Sequence, residues 1–474
     1  MSGGQLTAAH FQRGAQIHIV GIGGAGMSAI ARVLIGRGVR VSGSDRARNA
    51  QTDALAALGA RIYEGHAAAN LTVPDAVLIS SAVSPENPEV EAAIAAGIPV
   101  LRRREALPLL LGSSLQIAVA GTHGKTTTTA LIAHLLRETG RDPSYIVGST
   151  LLNSGDNARH GTGDAFVIEA DEYDYMFLGL TPTIAVLTNL EHDHPDMFPT
   201  FEAMQAAFQQ FIGRIPEYDG VLIACADDPH ALRLAKARRS GGQPTLTYGI
   251  HNADADWRAT LKGVDHLRIE GVQDGRTVRA EAKLPLYGDH NAQNSLAALA
   301  ATCAYGVPLA QAAAALGSFR GTARRFEVMG EARGVTVIND YAHHPTAIRA
   351  TLQAVRARYP KADVWAVWQP HTYSRTRLLL AAFLTAFGAA DHVLITDIYG
   401  AREQPQAGDP TAAELAAMLR EQAGCAAQHS GDLLQTADLL AENVCAGSVV
   451  ILFSAGSAPH IGEQLLEKLR QQHD

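Results

Sequence analysis

The ten residues AGTHGKTTTT at 120–129 restrict the fold of this chain more tightly than any other stretch. The apolar run LQIAVA leads into them and TTTTALIAHLLRETG leads out, so a buried strand turns sharply into a helix. Such a turn belongs at the carboxyl end of a strand in an α/β sheet, where ligands gather. Glycines let the backbone N–H groups of Gly121, Thr122, His123 and Gly124 curl around phosphate oxygens. The helix N-terminus adds partial positive charge. In this pattern Lys125 would reach the β- and γ-phosphates of ATP, and the Thr126 hydroxyl would ligate Mg²⁺. One departure stands out: the usual first glycine of G-x-x-x-x-G-K-[ST] falls at Val119.

The rest of the chain predicts three blocks, which suits 474 residues at roughly 100–200 per domain. Residues 1–114 alternate strands (QIHIV, VRVSGSD, AVLISSA, IPVLRR) with helical stretches such as TDALAALG. Residues 115–323 contain the phosphate loop and the strands AFVIEA and TIAVLT. TLTYGI, ATLKGV, HLRIEGV and TVRAEAKLPL then alternate apolar and polar residues, which predicts a small antiparallel patch. Residues 324–474 return to βα alternation with VTVIND, DVWAVWQ, HVLITDI and SVVILFS, and YGAREQPQAGDP at 399–410 reads as a surface loop. The expected class is therefore α/β in three domains: Rossmann-like, P-loop ATPase-type with an antiparallel patch, and Rossmann-like again.

Bulk properties exclude several functions. A net charge of -8 gives no general attraction for polyanions, so nucleic acid is not an expected partner. No apolar run reaches about 18 residues, and MSGGQLTAAHFQRGAQ lacks the pattern of a signal peptide. A cytoplasmic protein without membrane partners is expected. The four cysteines, Cys225, Cys303, Cys425 and Cys445, have no metal or redox spacing and read as buried free thiols.

Two acidic segments lie at predicted strand ends: EADEYD places Glu169, Asp171 and Glu172 there, and TNLEHDHPD places Asn189, Asp193 and His194. Glu169 suits Mg²⁺, which prefers oxygen ligands and keeps several waters; His194 is a less usual ligand for a second cation. The 171–174 stretch reads equally well as a solvated acidic loop. Near the N-terminus, GIGGAG (Gly21, Gly23, Gly24, Ala25, Gly26) fits G-x-G-x-x-G, with Asp45 following 19 residues after Gly26. A pyrophosphate can rest there, whether from NAD, FAD or a nucleotide-linked sugar.

GIGGAGMSAIA, SGSD, SSAV, AGTHGKTTTT, EADEYD, TNLEHDHPD, GDHNAQN, GTARRFE, NDYAHHPT and QPHTYSRT occur in the order found in Mur ligases. The resemblance covers nearly the whole chain. It is strongest to the members that join L-alanine to UDP-N-acetylmuramate in cell-wall synthesis. It implies that the Gly21–Gly26 turn, with Asp45 and Ser81, holds the pyrophosphate of that sugar nucleotide. It assigns ATP and Mg²⁺ to Lys125, Thr126 and Thr127, metal binding to Glu169 and His194, and adenine contact to His290, Asn291 and Asn294. Arg324 or Arg325 would reach the phosphates. Asp340, Tyr341, His343, His344, His371 and Arg375 would lie where the amino acid meets the γ-phosphate.

The implied reaction forms an acyl phosphate that an amine then attacks. Lys125 and an arginine would stabilise phosphoryl charge, Arg375 would clamp the alanine carboxylate, and His344 or His371 would take the ammonium proton. Several relatives carry a carbamylated lysine about fifteen residues beyond the metal-binding His; here Gln209 stands there and no lysine occurs between Lys125 and Lys236. That argues against ligases for the later amino acids. A ligase adding a peptide to the same sugar nucleotide remains the alternative. A nicotinamide dehydrogenase would leave GTHGKTTTT and the last block unexplained. A monomer or weak homodimer is expected, with the third domain closing over ATP.

Overall fold

The computed structural model describes residues 7–401, 403–423 and 425–471. Met1–Leu6 of the N-terminal stretch read against a signal peptide, and Arg402 of the expected surface loop, lie outside them.

Elements run in the order β1 (Gln16–Val20), α1 (Ala25–Gly36), β2 (Arg40–Asp45), α2 (Ala50–Ala57), β3 (Arg61–Glu64), β4 (Ala76–Ile79), α3 (Pro88–Ala95), β5 (Val100–Arg102) and α4 (Arg103–Leu111). These form a parallel five-stranded sheet ordered β3-β2-β1-β4-β5. Next come β6 (Leu115–Ala120), α5 (Lys125–Glu138), β7 (Ser144–Leu151), β8 (Asp156–Arg159), β9 (Ala165–Glu169), β10 (Ile184–Leu187), α6 (Phe201–Ile212), β11 (Val221–Cys225), α7 (Pro229–Ser240) and β12 (Thr245–Gly249). They continue into β13 (Trp257–Lys262), β14 (His266–Gln273), β15 (Arg276–Lys283), α8 (Asp289–Ala304) and α9 (Leu309–Leu316).

All ten strands of this middle region make one sheet, β15-β14-β13-β12-β11-β10-β6-β9-β7-β8. The antiparallel part is thus an extension of the main sheet. It starts one strand later than the sequence pattern predicted, because TLTYGI (β12) pairs parallel with both β11 and β13. Alternation shows that one face of a strand is buried; it does not show which way the neighbour runs.

The last region holds β16 (Glu327–Ala332), β17 (Val335–Asp340), α10 (Pro345–Arg358), β18 (Asp363–Trp368), α11 (Tyr373–Leu378), α12 (Leu380–Phe383), β19 (His392–Thr396), α13 (Ala412–Ala423), β20 (Ala426–Gly431), α14 (Leu433–Asn443), β21 (Ser448–Phe453) and α15 (Pro459–Gln471). Its sheet is β16-β17-β21-β18-β19-β20, parallel except for β16. The described part of 399–410 carries neither helix nor strand.

Packing divides the molecule unevenly. One continuous apolar core links the first sheet to the central one, from Phe11 and Ile17 through Ile117 to Leu316. The third sheet has separate cores on its two faces, around Trp368 and around Leu465. The third region therefore has apolar packing of its own, separate from that of the first two. All four cysteines are free, but only Cys225 and Cys303 are buried; Cys425 is half-buried and Cys445 exposed, against the expectation of four buried thiols. No described helix is long and apolar enough to cross a membrane.

Candidate active site

β6 is buried along nearly its whole length between β10 and β9, and it delivers the phosphate loop to the carboxyl edge of the central sheet. Val119 is a strand residue opposite Glu169, so the loop does not begin at the position where a glycine is usual. Gly121 makes the turn instead, with φ +134. Gly124 caps α5 at φ +81, and no side chain caps that helix, so its first N–H groups remain open to a ligand.

The loop opens into a cavity of about 710 Å³ lined by all three regions. Thr122–Thr127 form its floor. Glu169, Asp193 and His194 stand on one side and His290, Asn291 and Asn294 on another; Arg325, Tyr341, His344, His371 and Arg375 close it from the third region. Asp340 lines it too, with its carboxylate accepting from the Phe326 and Ala342 N–H groups at 2.8 and 2.7 Å.

Within the cavity the Thr126 hydroxyl donates to Glu169 at 2.9 Å, and Glu169 also accepts the Gly148 N–H at 2.7 Å. This pair of hard oxygen donors beside a phosphate loop fits Mg²⁺. His194 lies nearby with φ +54, a strained backbone that its surroundings must hold in place. The Lys125 ammonium meets the Glu172 carboxylate at 2.9 Å and donates back to the Gly121 and Thr122 carbonyls. Burial opposes its charge, yet Glu172, Asp171 and Glu169 outweigh burial and raise its pKa. Glu172 is fully buried, so it is not part of a solvated loop.

The two candidate arginines separate. Arg325 donates to Thr126 Oγ1 at 3.2 Å, whereas Arg324 turns away to the Ser454 and Gly456 carbonyls at 2.8 and 3.0 Å. Both guanidiniums stack on Tyr341, about 5 Å from its ring centre. Asn294 accepts from Thr128 at 3.2 Å and donates to Asn291, so this pair braces the phosphate-loop helix as well as facing the cavity.

The third region is tied to the central one by charge. Arg375 donates through Nε to Asp193 at 2.8 Å and through Nη1 to the His371 carbonyl at 2.8 Å, with both side chains of the ion pair about 95% buried. Burial alone would raise the Asp193 pKa, but Arg375 and the neighbouring histidines hold it well below the ordinary value. Burial, then Arg375, lowers His371 to about 4. Burial likewise lowers His344 to about 4 and His290 to about 4. All three rings are neutral at pH 7.

The glycine turn of the first region reaches the cavity only at its end, through Ala25 and Gly26. Gly21, Gly23 and Gly24 do not line it, and the half-buried Asp45 accepts the Gly23 N–H at 2.8 Å. Ser81 is exposed on the turn after β4 and does not line the cavity. Gln209 is exposed on α6, away from the cavity, so it does not occupy a ligand's place.

The Mur ligase family catalytic domain matches residues 16–114, the Mur ligase middle domain 119–302, and the Mur ligase glutamate ligase domain 324–456. The chain is a Mur ligase. It is 44% identical over 454 residues to the UDP-N-acetylmuramate--L-alanine ligase of Renibacterium salmoninarum, covering 96% of each chain. It is 42% identical to the enzyme of the same name from Roseiflexus sp., covering 96% of this chain and 99% of that one. Among solved structures it is similar to UDP-N-acetylmuramate-alanine ligase MurC from Thermotoga maritima, with TM-score 0.78, 27% identity, and 96% and 99% of the two chains covered. A murein peptide ligase from Psychrobacter arcticus aligns with TM-score 0.69 at 27% identity, covering 96% and 99%.

For this Mur ligase, the structure also gives places to Arg103 and Glu191, which the motifs did not single out, and a partner to Asn189. Arg103, at the start of α4, extends its guanidinium beside Gly26, 2.7 Å from where a Cβ would lie, and lines the cavity between the glycine turn and the phosphate loop. It lies in IPVLRR, one of three consecutive arginines, and nothing in that run marks which one turns inward. Asn189 accepts the His123 N–H at 2.8 Å and Glu191 takes the His123 ring at 2.7 Å. Both lie in TNLEHDHPD, so position in the motif was the available signal.

Proposed function

We propose that this Mur ligase joins L-alanine to the lactyl carboxylate of UDP-N-acetylmuramate, releasing ADP and phosphate. The observation that carries it is the convergence in one cavity of the phosphate loop, the Thr126–Glu169 pair and Arg325 with the Arg375 and histidine groups of the third region. Full-length relatives of that name, above 40% identical, support the same substrates.

In this reading residues 1–114 present the sugar nucleotide, 115–323 bind ATP, and 324–474 bring the amino acid. The carboxylate attacks the γ-phosphate and becomes an acyl phosphate, which removes its poor electrophilicity. The amine nitrogen of alanine then attacks the carbonyl and phosphate leaves. Lys125 and Arg325 hold the phosphoryl oxygens. Thr126, Glu169 and His194 would hold Mg²⁺, which when bound neutralises phosphoryl charge. Arg103 is added to the Gly21–Gly26 turn as a phosphate partner of the sugar nucleotide. Arg375 offers its remaining edge to the alanine carboxylate. His344 and His371, neutral in the folded protein, are placed to take the ammonium proton. The protein works in the cytoplasm as a monomer or weak homodimer.

The test is ADP release with UDP-N-acetylmuramate and each amino acid in turn, with a tripeptide as a parallel arm. Turnover with alanine and little with tripeptide is expected. Preference for the tripeptide would move the assignment to a murein peptide ligase.

A further inference from the structure

A group of donors in the same cavity stands apart from the Thr126, Glu169 and His194 set. His123 of the phosphate loop, Glu191 beyond β10 and His344 at the start of α10 each place one ligand atom within 4.8 Å of the others. His123 Nε2 and Glu191 Oε2 are 2.7 Å apart, and His344 Nδ1 lies 3.4 Å from the same Glu191 oxygen. The two imidazole rings are 4.7 Å apart between centres. A tetrahedral ion with bonds of about 2.0–2.1 Å sets its ligand atoms about 3.4 Å apart, so movements of around an ångström would complete the cage.

Three further features fit. Thr346 donates to the second oxygen of Glu191 at 3.0 Å, which orients the carboxylate as a supporting partner does in metal sites. The His344 side chain is only 6% exposed, and its Nδ1 faces the Glu191 oxygen while accepting only a long 3.4 Å contact from the Thr346 N–H. His123 and Glu191 are 22% and 35% exposed, which leaves an entry path and a position for water. With two imidazoles among its three protein ligands, the set suits a borderline-soft ion of the zinc type better than Mg²⁺, whose shell is dominated by carboxylate, phosphate and water oxygens.

We infer that His123, Glu191 and His344 form a second metal site, selective for Zn²⁺-like ions, that bridges the central and third regions. Binding involves no redox step; a water molecule takes the fourth position. Because His344 begins α10 and His123 sits in the phosphate loop, the bound ion would staple the third region onto that loop. That consequence for turnover, inhibition by Zn²⁺ that excess Mg²⁺ does not relieve, rests on the ligase reading; the binding itself does not.

The experiment titrates the full chain with Zn²⁺ by calorimetry and with Co²⁺ by visible absorption, without nucleotide, sugar or Mg²⁺. One strong site per chain and the intense bands of tetrahedral Co²⁺ are expected. His344→Ala and Glu191→Gln should each weaken Zn²⁺ by more than about 100-fold, since loss of an outer partner alone costs about 10–100-fold. His194→Ala should leave it unchanged. His123→Gln provides a third route should either of the first two variants fail to fold. Pale octahedral Co²⁺ bands, affinity unchanged in the cluster variants, or affinity lost in His194→Ala would each overturn the site. The measurement uses no substrates, so its failure leaves the ligase assignment standing, and an inactive ligase leaves it readable.

Discussion

Asp193→Asn isolates the contact that holds the third region in place. The substitution keeps the shape of the side chain and removes its charge. In the native protein Asp193 pairs with Arg375 at 2.8 Å, with side chains 5% and 6% exposed. It is also 3.8 Å from His194 and 3.9 Å from His343. After the substitution the Arg375 guanidinium keeps the His371 carbonyl but loses its counter-charge. Removing one partner of a buried pair costs about 3–5 kcal/mol, because the other charge stays buried and unpaired. At about 1.4 kcal/mol per tenfold, docking of the third region weakens by roughly 10²–10⁴. The direct hydrogen bonds across this boundary from Arg325 to Thr126 and from Thr346 to Glu191 are worth about 1 kcal/mol each and do not replace the lost charge pair. The assay is energy transfer between dyes on exposed positions of α6 and α14, read with and without ATP. A shift to longer distances is expected, and the double change Asp193→Asn with Arg375→Met should recover much of it. An unchanged distance distribution in the single variant, or a double variant worse than the single, would refute the argument.

Other outcomes follow from the same geometry. Lys125→Ala should lower ADP release by about 10²–10³, and turnover near wild type would remove the ATP assignment. Gly124→Ala puts a Cβ 2.4 Å from Asn294 Oδ1 at φ +81, so a loss of about 1–3 kcal/mol in thermal stability and a raised KM for ATP are expected. His371 is lowered to about 4, so the acid limb of kcat/KM should lie near that value if it is the base; a limb near 6.5 persisting in His371→Ala would assign the step elsewhere. Glu89 is fully buried in the first region; burial would raise its pKa, but the His18 ring 3.7 Å away and hydrogen bonds from Ser44 and Asn70 hold it at about 2, below the ordinary 4.5. Its folded pKa is depressed, so its stabilisation is present above about pH 4.5 and lost as pH falls towards 2. Glu89→Gln should cost about 3 kcal/mol in urea unfolding at pH 6, with the two curves converging near pH 2.

What the sequence revealed and what it hid divide along a physical line. Buried parallel strands are nearly continuous apolar runs, and LQIAVA, AFVIEA and SVVILF were visible for that reason. The phosphate loop was visible because its glycines answer a backbone need that few other residues meet. The missing glycine at Val119 looked like a defect only while the loop was assumed to begin there; β6 runs one residue further, and Gly121 takes the turn. Partner choice among charged residues was not visible. EADEYD offers four carboxylates in six positions, and sequence gives no reason why Glu172 is buried against Lys125. The same holds for Arg324 and Arg325, which are adjacent yet point to different regions. Nor does the spacing of Asp45 from the glycine turn show that its carboxylate accepts the Gly23 N–H.

These hidden features share one cause: each depends on a side chain's three-dimensional neighbours, which lie far away along the chain. Asp193 and Arg375 are 182 positions apart, and Thr126 and Arg325 are 199 apart. No local window contains both partners. The site is therefore legible from sequence only as separate fragments, each able to hold phosphate, metal or carboxylate. Their assembly depends on the third region, which has its own apolar cores and meets the central region through polar contacts at the cavity and the packing of α10 beside α8. A body attached that way can open to admit three substrates and close to exclude water from an acyl phosphate. The contacts that form the site are thus the same ones that hold it shut, which is why Asp193 lies at the centre of both.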